Sequence, residues 1–248
     1  MKTNSLSAWI LAVRPYSLGN SVILVLIGSA LAWTDRGFHW LPAVLCLAFA
    51  LLMQCTANLV NDLWDFLKGA DQPDRLGPDR AFAKGYITLG AMKAGIAGFT
   101  LAACAAGVAL LVWALHAGAL RYGGWELVAA LACGLVIDTM LMINNFRDRE
   151  EDARCNKRTI VVCLGAGVGR WGYLALGTAA VALCLTLLFA GRTWAALLPL
   201  PYLAAHISTW RKMVRIDHGD ALNVCLGETA RNILLFGALF TLGILLGR

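Results

Sequence analysis

Long apolar runs alternate with short polar segments along almost the whole 248-residue chain. A membrane-spanning helix needs roughly 20 mainly apolar residues to cross about 30 Å of hydrocarbon. Seven runs approach or exceed that length, and tryptophan stands at six of their ends, where an indole ring suits the boundary between water and lipid. The pattern predicts seven transmembrane helices, at Leu18–Trp33, Trp40–Asn61, Leu89–Leu115, Trp125–Ile143, Trp171–Ala190, Trp194–Trp210 and Asn232–Leu246.

The composition supports a membrane protein. Hydrophobic residues make up 59% of the chain, charged residues only 15%, and the mean hydropathy is +0.68. Soluble domains carry about 25% charged residues, and disordered chains combine low hydrophobicity with high charge. The eight cysteines form no CxxC pair and read as buried apolar residues. We therefore expect an all-α, polytopic membrane helix bundle that forms a single domain over residues 1–248.

The distribution of positive charge predicts the topology. Of the 21 Lys and Arg residues, 17 fall on one side of the seven predicted helices. The positive-inside rule places that side in the cytoplasm. The net charge of +6 is then a topology signal and not a nucleic-acid surface. A cleaved signal peptide is the alternative for the first run, disfavoured because Pro15 directly follows Arg14 and six more runs follow.

Acidic residues cluster on the same side, with 12 of the 15 Asp and Glu in its three longer segments. The first cluster lies where the second predicted helix ends. At 100° per residue, Gln54, Asn58, Asn61, Asp62 and Asp65 fall within about 100° of arc. A carboxylate facing lipid costs about 2.5–3.5 kcal/mol, so this polar stripe must face a wet cavity or a cation.

The second cluster follows the fourth predicted helix. Asp148 and Asp152 are four residues apart and so share one helical face with Asn145. Asp138 lies earlier on that face, within the membrane-spanning run. It is either a candidate general base or a hydrogen-bonded structural acid.

Both acid clusters are followed by Lys and Arg, a combination that suits one class of ligand. Carboxylates alone would repel a phosphate, but carboxylates that hold Mg²⁺ bind one. Arg80, Lys157 and Arg158 would neutralise the remaining phosphate charge. The pattern indicates a magnesium–diphosphate site at the cytoplasmic surface, above apolar helices that could house a long lipid tail.

The two motifs resemble those of the UbiA superfamily of intramembrane aromatic prenyltransferases, and most closely its 1,4-dihydroxy-2-naphthoate prenyltransferase branch. The resemblance rests on Asn61-Asp62-Leu-Trp-Asp65 with Asp71 as the distal acid, Arg75 to Arg80, Lys84-Gly85, Asn144 to Asp152, Asn156 to Thr159, Arg14-Pro15, and the tail from Leu222 to Gly237.

The resemblance implies Mg²⁺-dependent transfer of a prenyl group from a polyprenyl diphosphate to an aromatic acceptor, 1,4-dihydroxy-2-naphthoate, with loss of its carboxylate. It implies an enzyme of the bacterial inner membrane in menaquinone biosynthesis; its oligomeric state stays open. The catalytic and metal-binding residues would be Asp62, Asp65, Asp148 and Asp152. The substrate-binding residues would be Arg14, Asn58, Asn61, Lys68, Arg80, Asn145, Arg147, Lys157 and Arg158.

The family fold has nine transmembrane helices where this sequence predicts seven. Between Leu115 and Asn144 there is room for one span where the family has three. Two alternatives therefore stay open: prenyl transfer to another aromatic or lipid acceptor, and a non-catalytic member that binds isoprenoid lipid. A CDP-alcohol phosphotransferase is set aside because its DGxxAR motif does not occur. A transporter is disfavoured because the acids cluster at one surface.

Overall fold

The computed structural model describes residues 1–69, 80–117 and 124–247. Within these ranges the regular elements are all helices, which confirms the all-α class. The helices are α1 (Leu6–Val13), α2 (Pro15–Thr34), α3 (Trp40–Leu67), α4 (Leu89–Ala117), α5 (Gly124–Arg147), α6 (Arg149–Arg154), α7 (Ile160–Leu164), α8 (Ala166–Thr186), α9 (Thr193–Leu197), α10 (Leu200–Ile216) and α11 (Leu222–Leu246).

Six of these helices are long and apolar enough to cross a membrane, counted over the described ranges. They are α2, α3, α4, α5, α8 and α11, with 20 to 29 residues each. Each overlaps one of the seven predicted spans, so the prediction of a polytopic membrane bundle is confirmed. The observed helices run beyond several predicted ends, because α3 continues to Leu67 and α11 already begins at Leu222.

The remaining predicted span, Trp194–Trp210, is not one continuous helix. It is divided into the short helix α9 and the 17-residue helix α10. The division falls at Pro199, and Pro201 lies in the first turn of α10. Proline has no backbone N–H to donate and its ring clashes with the preceding turn, so it is tolerated at a helix start but breaks a helix interior. The predicted span is therefore interrupted at Pro199 although its residues are apolar.

The helices form two compact units. The first unit comprises Met1–Val25 with Phe38–Arg121, and the second comprises Leu26–Gly37 with Tyr122–Arg248. The expectation of a single domain over residues 1–248 stays a prediction.

In the first unit, α1 packs on α3 beside the segment that leads into α4. Ala8 and Ala12 lie on the buried side of α1, and Leu59 and Leu63 lie on the buried side of α3. The chain ahead of α1 is tied down as well, because the Asn4 N–H donates to the Tyr86 carbonyl at 2.8 Å. These contacts fix the end of α1, from which Arg14 projects.

In the second unit, α8 packs against α5 and α10 around a buried polar cluster. The His206 ring is stacked between those of Tyr173 and Tyr202, with centroid distances of 4.6 and 5.4 Å. The Tyr173 hydroxyl and the Thr229 hydroxyl are 2.8 Å apart. Hydrogen-bonded side chains of this kind hold helices together where no water is available.

Gly177 on α8 provides the space for the His206 ring. A Cβ added at Gly177 would lie 2.3 Å from His206 Nε2. We expect Gly177→Ala to lower the free energy of unfolding by about 1–3 kcal/mol, because Tyr173 and Tyr202 keep the ring from moving aside. Thermal unfolding in detergent measures this. Gly167→Ala, on the same helix with nothing within 4 Å, is the control and should not destabilise; equal losses would contradict a steric role for Gly177.

Candidate functional site

Arg14 lies at the junction of α1 and α2 in a left-handed conformation, with φ 52° and ψ 72°. This conformation is uncommon for a residue other than glycine. Pro15 starts the next helix, and the Arg14 carbonyl accepts hydrogen bonds from the Ser17 N–H and hydroxyl, both at 2.9 Å. The turn directs the Arg14 guanidinium onto α3, where it donates to Asp62 Oδ1.

The predicted polar stripe of α3 holds this junction in place. Asn58 is buried and its Nδ2 donates to the Val13 carbonyl at 2.8 Å and to Ser17 Oγ at 2.9 Å. One turn earlier, Gln54 Nε2 donates to Asn58 Oδ1 at 3.3 Å. Asn58 is therefore a positioning residue for the turn that carries Arg14.

Asp62 and Asp65 form the acidic end of the stripe, and Arg80 spans them. Arg80 Nη1 lies 2.8 Å from Asp62 Oδ1, and Arg80 Nη2 lies 2.8 Å from Asp65 Oδ2. Asp62 is only 1% exposed, and its Oδ1 accepts from both Arg14 and Arg80. Its Oδ2 is buried and has no hydrogen-bond donor among the described residues. A buried carboxylate oxygen without a donor is a position that a cation can occupy.

Not every predicted residue near this motif joins the network. Asn61 and Lys68 are exposed and take no part in the contacts around Asp62. Asp71, the predicted distal acid, and Arg75 lie outside the described residues. The structure thus brings together Arg14, Asn58, Asp62, Asp65 and Arg80.

In the second unit, Asp148 is fixed by its neighbour Arg147. Arg147 Nε and Nη2 donate to the two Asp148 carboxylate oxygens at 2.5 and 2.8 Å. Arg147 Nη1 donates to Asn223 Oδ1 on α11 at 2.8 Å. The geometry makes Arg147 a positioning residue for Asp148, and its role in substrate binding stays a prediction.

Asp152 is buried one turn after Asp148, and the backbone N–H of Asp152 donates to the Asp148 carbonyl at 2.8 Å. Lys157 Nζ lies 3.3 Å from Asp152 Oδ1, and the Lys157 N–H donates to the Asp152 carbonyl at 2.7 Å. Beside this pair is a surface depression of about 330 Å³, lined by Ala153, Asn156, Lys157, Arg158, Val162 and Cys163. The depression is thus bordered by two cations, one of which is held against a buried acid.

Three further predicted residues sit at different levels of exposure. Asn145 is half-buried near the end of α5, and Arg158 is exposed. Asp138 is exposed on α5, and it makes no side-chain hydrogen bond or ion pair within the described residues. The structural alternative for Asp138, a hydrogen-bonded acid, therefore has no support in these contacts.

Asp217, between α10 and α11, joins two arginines of the second unit. Arg170 Nη2 donates to Asp217 Oδ1 at 2.6 Å, and Arg149 Nη1 donates to the Asp217 carbonyl at 2.7 Å. Arg149 also stacks on the Phe146 ring, 4.5 Å from its centroid. The hydrogen bond from Arg170, aided by the charge of Arg149, lowers the pKa of the Asp217 carboxyl. This contact ties the α10–α11 connection to the segment carrying Asp148.

The lowered pKa of Asp217 gives a pH dependence with a defined sign. The pKa of this carboxyl is lower in the folded state than in the unfolded chain, where it is 3.8. The ionised carboxylate therefore stabilises the fold at pH values above 3.8. That stabilisation is lost as the pH falls through the lower pKa of the folded state. Asp217→Asn should lower the free energy of unfolding by about 0.2–1 kcal/mol at neutral pH, and the difference from wild type should vanish under acid. Thermal unfolding across this range measures it, with exposed Asp220→Asn as the control. A difference that grew as the pH fell would contradict the assignment.

Two residues of these networks, Ser17 and Asn223, have no role among the sequence-based predictions. Ser17 lies three residues after Arg14, in the first turn of the helix that Pro15 begins. A serine at this position can donate its hydroxyl to the Arg14 carbonyl, so the sequence contained a signal for this contact. Asn223 is 76 residues away from Arg147, and nothing in a single sequence indicates that pairing.

Comparison with known proteins gives consistent matches. The model of the UbiA prenyltransferase family matches residues 99–235. The 1,4-dihydroxy-2-naphthoate octaprenyltransferase of Escherichia coli is 31% identical, across 97% of this chain and 96% of that protein. The protein of the same name from Haemophilus influenzae is 29% identical, across 100% and 98%. UbiA prenyltransferase domain-containing protein 1 of Mus musculus is 25% identical, across 97% and 84%.

The alignment with the Escherichia coli protein is longer than this chain. It extends over 298 positions, whereas the chain has 248 residues, so several dozen positions of that relative face gaps. At roughly 20 residues per span, this difference has the size of the helix pair whose absence the sequence predicts.

Proposed function

Because the chain belongs to the UbiA prenyltransferase family, we propose that it transfers a polyprenyl group from polyprenyl diphosphate to 1,4-dihydroxy-2-naphthoate in menaquinone biosynthesis. The chain is a multi-pass membrane prenyltransferase. The choice of substrates is supported by two bacterial relatives of that name, each matched over nearly its full length. The observation that carries the proposal is the buried acid pair Asp62 and Asp65, which two guanidinium groups contact.

Magnesium suits the two acid clusters. Within the described ranges no three His, Cys, Asp or Glu side chains lie together as a metal site. Mg²⁺ does not need such a set, because it takes one or two carboxylates and completes its shell with phosphate oxygens and water. Asp62 and Asp65 would hold one ion, and Asp148 and Asp152 another. When bound, Mg²⁺ stabilises the negative charge that develops on the departing diphosphate.

The chain's own cations support binding of the diphosphate. Arg14 and Arg80 already contact Asp62, so phosphate oxygens that enter there meet guanidinium groups that can form charge-assisted hydrogen bonds. Lys157 and Arg158 offer the same chemistry at the depression beside Asp152. Arg147 keeps the Asp148 carboxylate in one orientation.

The proposed reaction balances without a general base. The C–O bond of the prenyl diphosphate breaks, and the diphosphate leaves with the electron pair. The ring carbon that carries the carboxylate forms the new C–C bond to the prenyl group. The carboxylate then leaves as CO₂, and its bonding pair restores the aromatic ring. No ring proton is removed, so Asp138 is not required as a base.

We further propose that the acid clusters lie on the cytoplasmic side of a bacterial inner membrane. The support is the charge distribution, with 17 of 21 Lys and Arg on the side that carries both motifs. A cytoplasmic location also agrees with the charge of the proposed substrates, which do not cross a bilayer unaided.

Mass spectrometry of the products tests the proposal. The purified protein would be given Mg²⁺, a polyprenyl diphosphate, and equal amounts of 1,4-dihydroxy-2-naphthoate and 4-hydroxybenzoate. We expect a decarboxylated, prenylated naphthalene. A prenylated hydroxybenzoate would assign a different acceptor. Release of neither product by protein that still binds the diphosphate would favour a non-catalytic isoprenoid-binding member.

A further inference from the structure

One face of α10 carries exposed cations that none of the groups discussed above uses. Arg211 and Arg215 are exposed and one helical turn apart. Neighbouring Lys212 is paired with Glu228 on α11. In the described parts of the chain, neither Arg211 nor Arg215 has an ion-pair or hydrogen-bond partner for its side chain. Like charges at this spacing repel each other on an isolated helix, so an anion placed between them would be stabilised.

The cations border a surface depression of about 390 Å³ on the same helix. It is lined by Ala204, Ile207, Ser208, Arg211, Lys212 and Arg215. The lining changes in order along the helix, from two apolar side chains through a hydroxyl to three cations. An acyl chain, an ester and a phosphate follow one another in that order in a glycerophospholipid.

Two tryptophans indicate where this face lies relative to the lipid. Trp210 directly precedes Arg211, and its ring packs on that of Trp171 with a centroid distance of 5.5 Å. The Trp210 indole N–H donates to the Arg170 carbonyl at 2.9 Å. Indole rings with a bonded N–H favour the headgroup level of a bilayer. Arg211 and Arg215 would then lie where lipid phosphates are.

We propose that this face of α10 binds the headgroup of an anionic glycerophospholipid, with one acyl chain along Ala204 and Ile207. Charge complementarity favours this lipid, because Lys and Arg side chains at the level of the headgroups attract anionic lipids. A diphosphate substrate is a poorer match. Of the acids near the end of α10, Glu228 is engaged by Lys212 and Thr209, and Asp217 is engaged by Arg170. Within the described residues, therefore, no carboxylate pair comparable to Asp62 and Asp65 lines this depression to hold Mg²⁺. The proposed site shares no residue with either acid cluster.

Native mass spectrometry of the full-length protein tests the site. The protein would be taken from bilayers of equal parts phosphatidylglycerol and phosphatidylcholine with identical acyl chains, and the retained lipids counted. We expect wild type to retain phosphatidylglycerol selectively. Arg211→Gln with Arg215→Gln should reduce that retention by about 10- to 30-fold, the loss expected for two cations at headgroup level.

The matched control removes two other exposed cations from the same predicted side of the membrane, Lys2→Gln with Lys93→Gln. It should retain phosphatidylglycerol as wild type does. An equal loss in both double variants would show general attraction by positive charge and overturn the site. Equal retention of the two lipids by wild type would also overturn it, as would displacement of the lipid by inorganic diphosphate. Unfolding temperatures should be unchanged in both variants, because all four side chains are exposed.

Discussion

Asp62→Asn is expected to reduce the rate of prenyl transfer by at least about 10²–10³-fold, the loss that follows removal of one group stabilising transition-state charge. Asp62 combines burial, two guanidinium contacts and a carboxylate oxygen without a donor among the described residues. Asp148→Asn should have an effect of similar size. Initial rates of diphosphate release with both substrates present would measure the loss, and EDTA should stop the wild-type reaction until Mg²⁺ is restored.

A second variant separates catalysis from stability. Asp62→Asn leaves Arg14 and Arg80 with less negative charge to balance them, which can itself destabilise a protein. Combining Asp62→Asn with Arg14→Gln restores the charge balance and should recover the unfolding temperature but not the activity. Exposed Asp220→Asn should behave as wild type. Full activity in Asp62→Asn and Asp148→Asn, or activity undiminished by EDTA, would refute the metal assignment.

Arg158→Ala is expected to weaken binding of the prenyl diphosphate by about 10- to 150-fold, which corresponds to the 1.5–3 kcal/mol of a hydrogen bond to a charged group. Arg158 is exposed at the depression beside Asp152 and Lys157, so its removal should leave the fold unchanged. Binding of a non-hydrolysable prenyl diphosphate analogue measures the effect, with the KM for the aromatic acceptor measured in parallel.

Arg154→Ala provides the matched control, because it removes another exposed arginine, four residues earlier in the chain. Its affinity for the analogue should equal that of wild type. A change in acceptor KM with unaltered analogue affinity in Arg158→Ala would assign Arg158 to the acceptor and contradict its role at the leaving group.

The shared helix face of the first acid cluster follows from helical periodicity. Asn58, Asp62 and Asp65 recur at three- and four-residue spacing, so their burial on one side of α3 was predictable from the sequence. The same rule also placed Asn61 on this stripe, and its role in substrate binding stays a prediction. Asn61 lies at one edge of the arc and is exposed, whereas Asp62 at the other edge is buried against Arg14 and Arg80. The packing partners of each edge, which the spacing does not give, decide which edge is buried.

The break within the predicted span Trp194–Trp210 shows the limit of counting apolar residues. Hydropathy treats Pro199 and Pro201 as ordinary members of an apolar run. A proline is tolerated in the first turn of a helix, as at Pro201, but it interrupts a helix interior. The two prolines were visible in the sequence, so this difference was predictable from backbone geometry.

Other contacts were beyond the reach of a single sequence. Arg147 reaches Asn223 across 76 residues, and Arg14 reaches Asp62 across 48. Both contacts depend on how helices pack, which local periodicity does not encode. The left-handed turn at Arg14 is a further case, since arginine has no intrinsic preference for that conformation and tertiary contacts must hold it there.

An acceptor with an isotopic label in its carboxyl group tests the proposed reaction most directly. It shows whether the prenyl group replaces the carboxylate of 1,4-dihydroxy-2-naphthoate. The purified protein would be incubated with Mg²⁺, a polyprenyl diphosphate and 1,4-dihydroxy-2-naphthoate carrying ¹³C in its carboxyl group. We expect one labelled CO₂ for every prenylated product, and product without the label. A prenylated product that keeps the label, or labelled CO₂ released without prenylation, would contradict the proposed reaction.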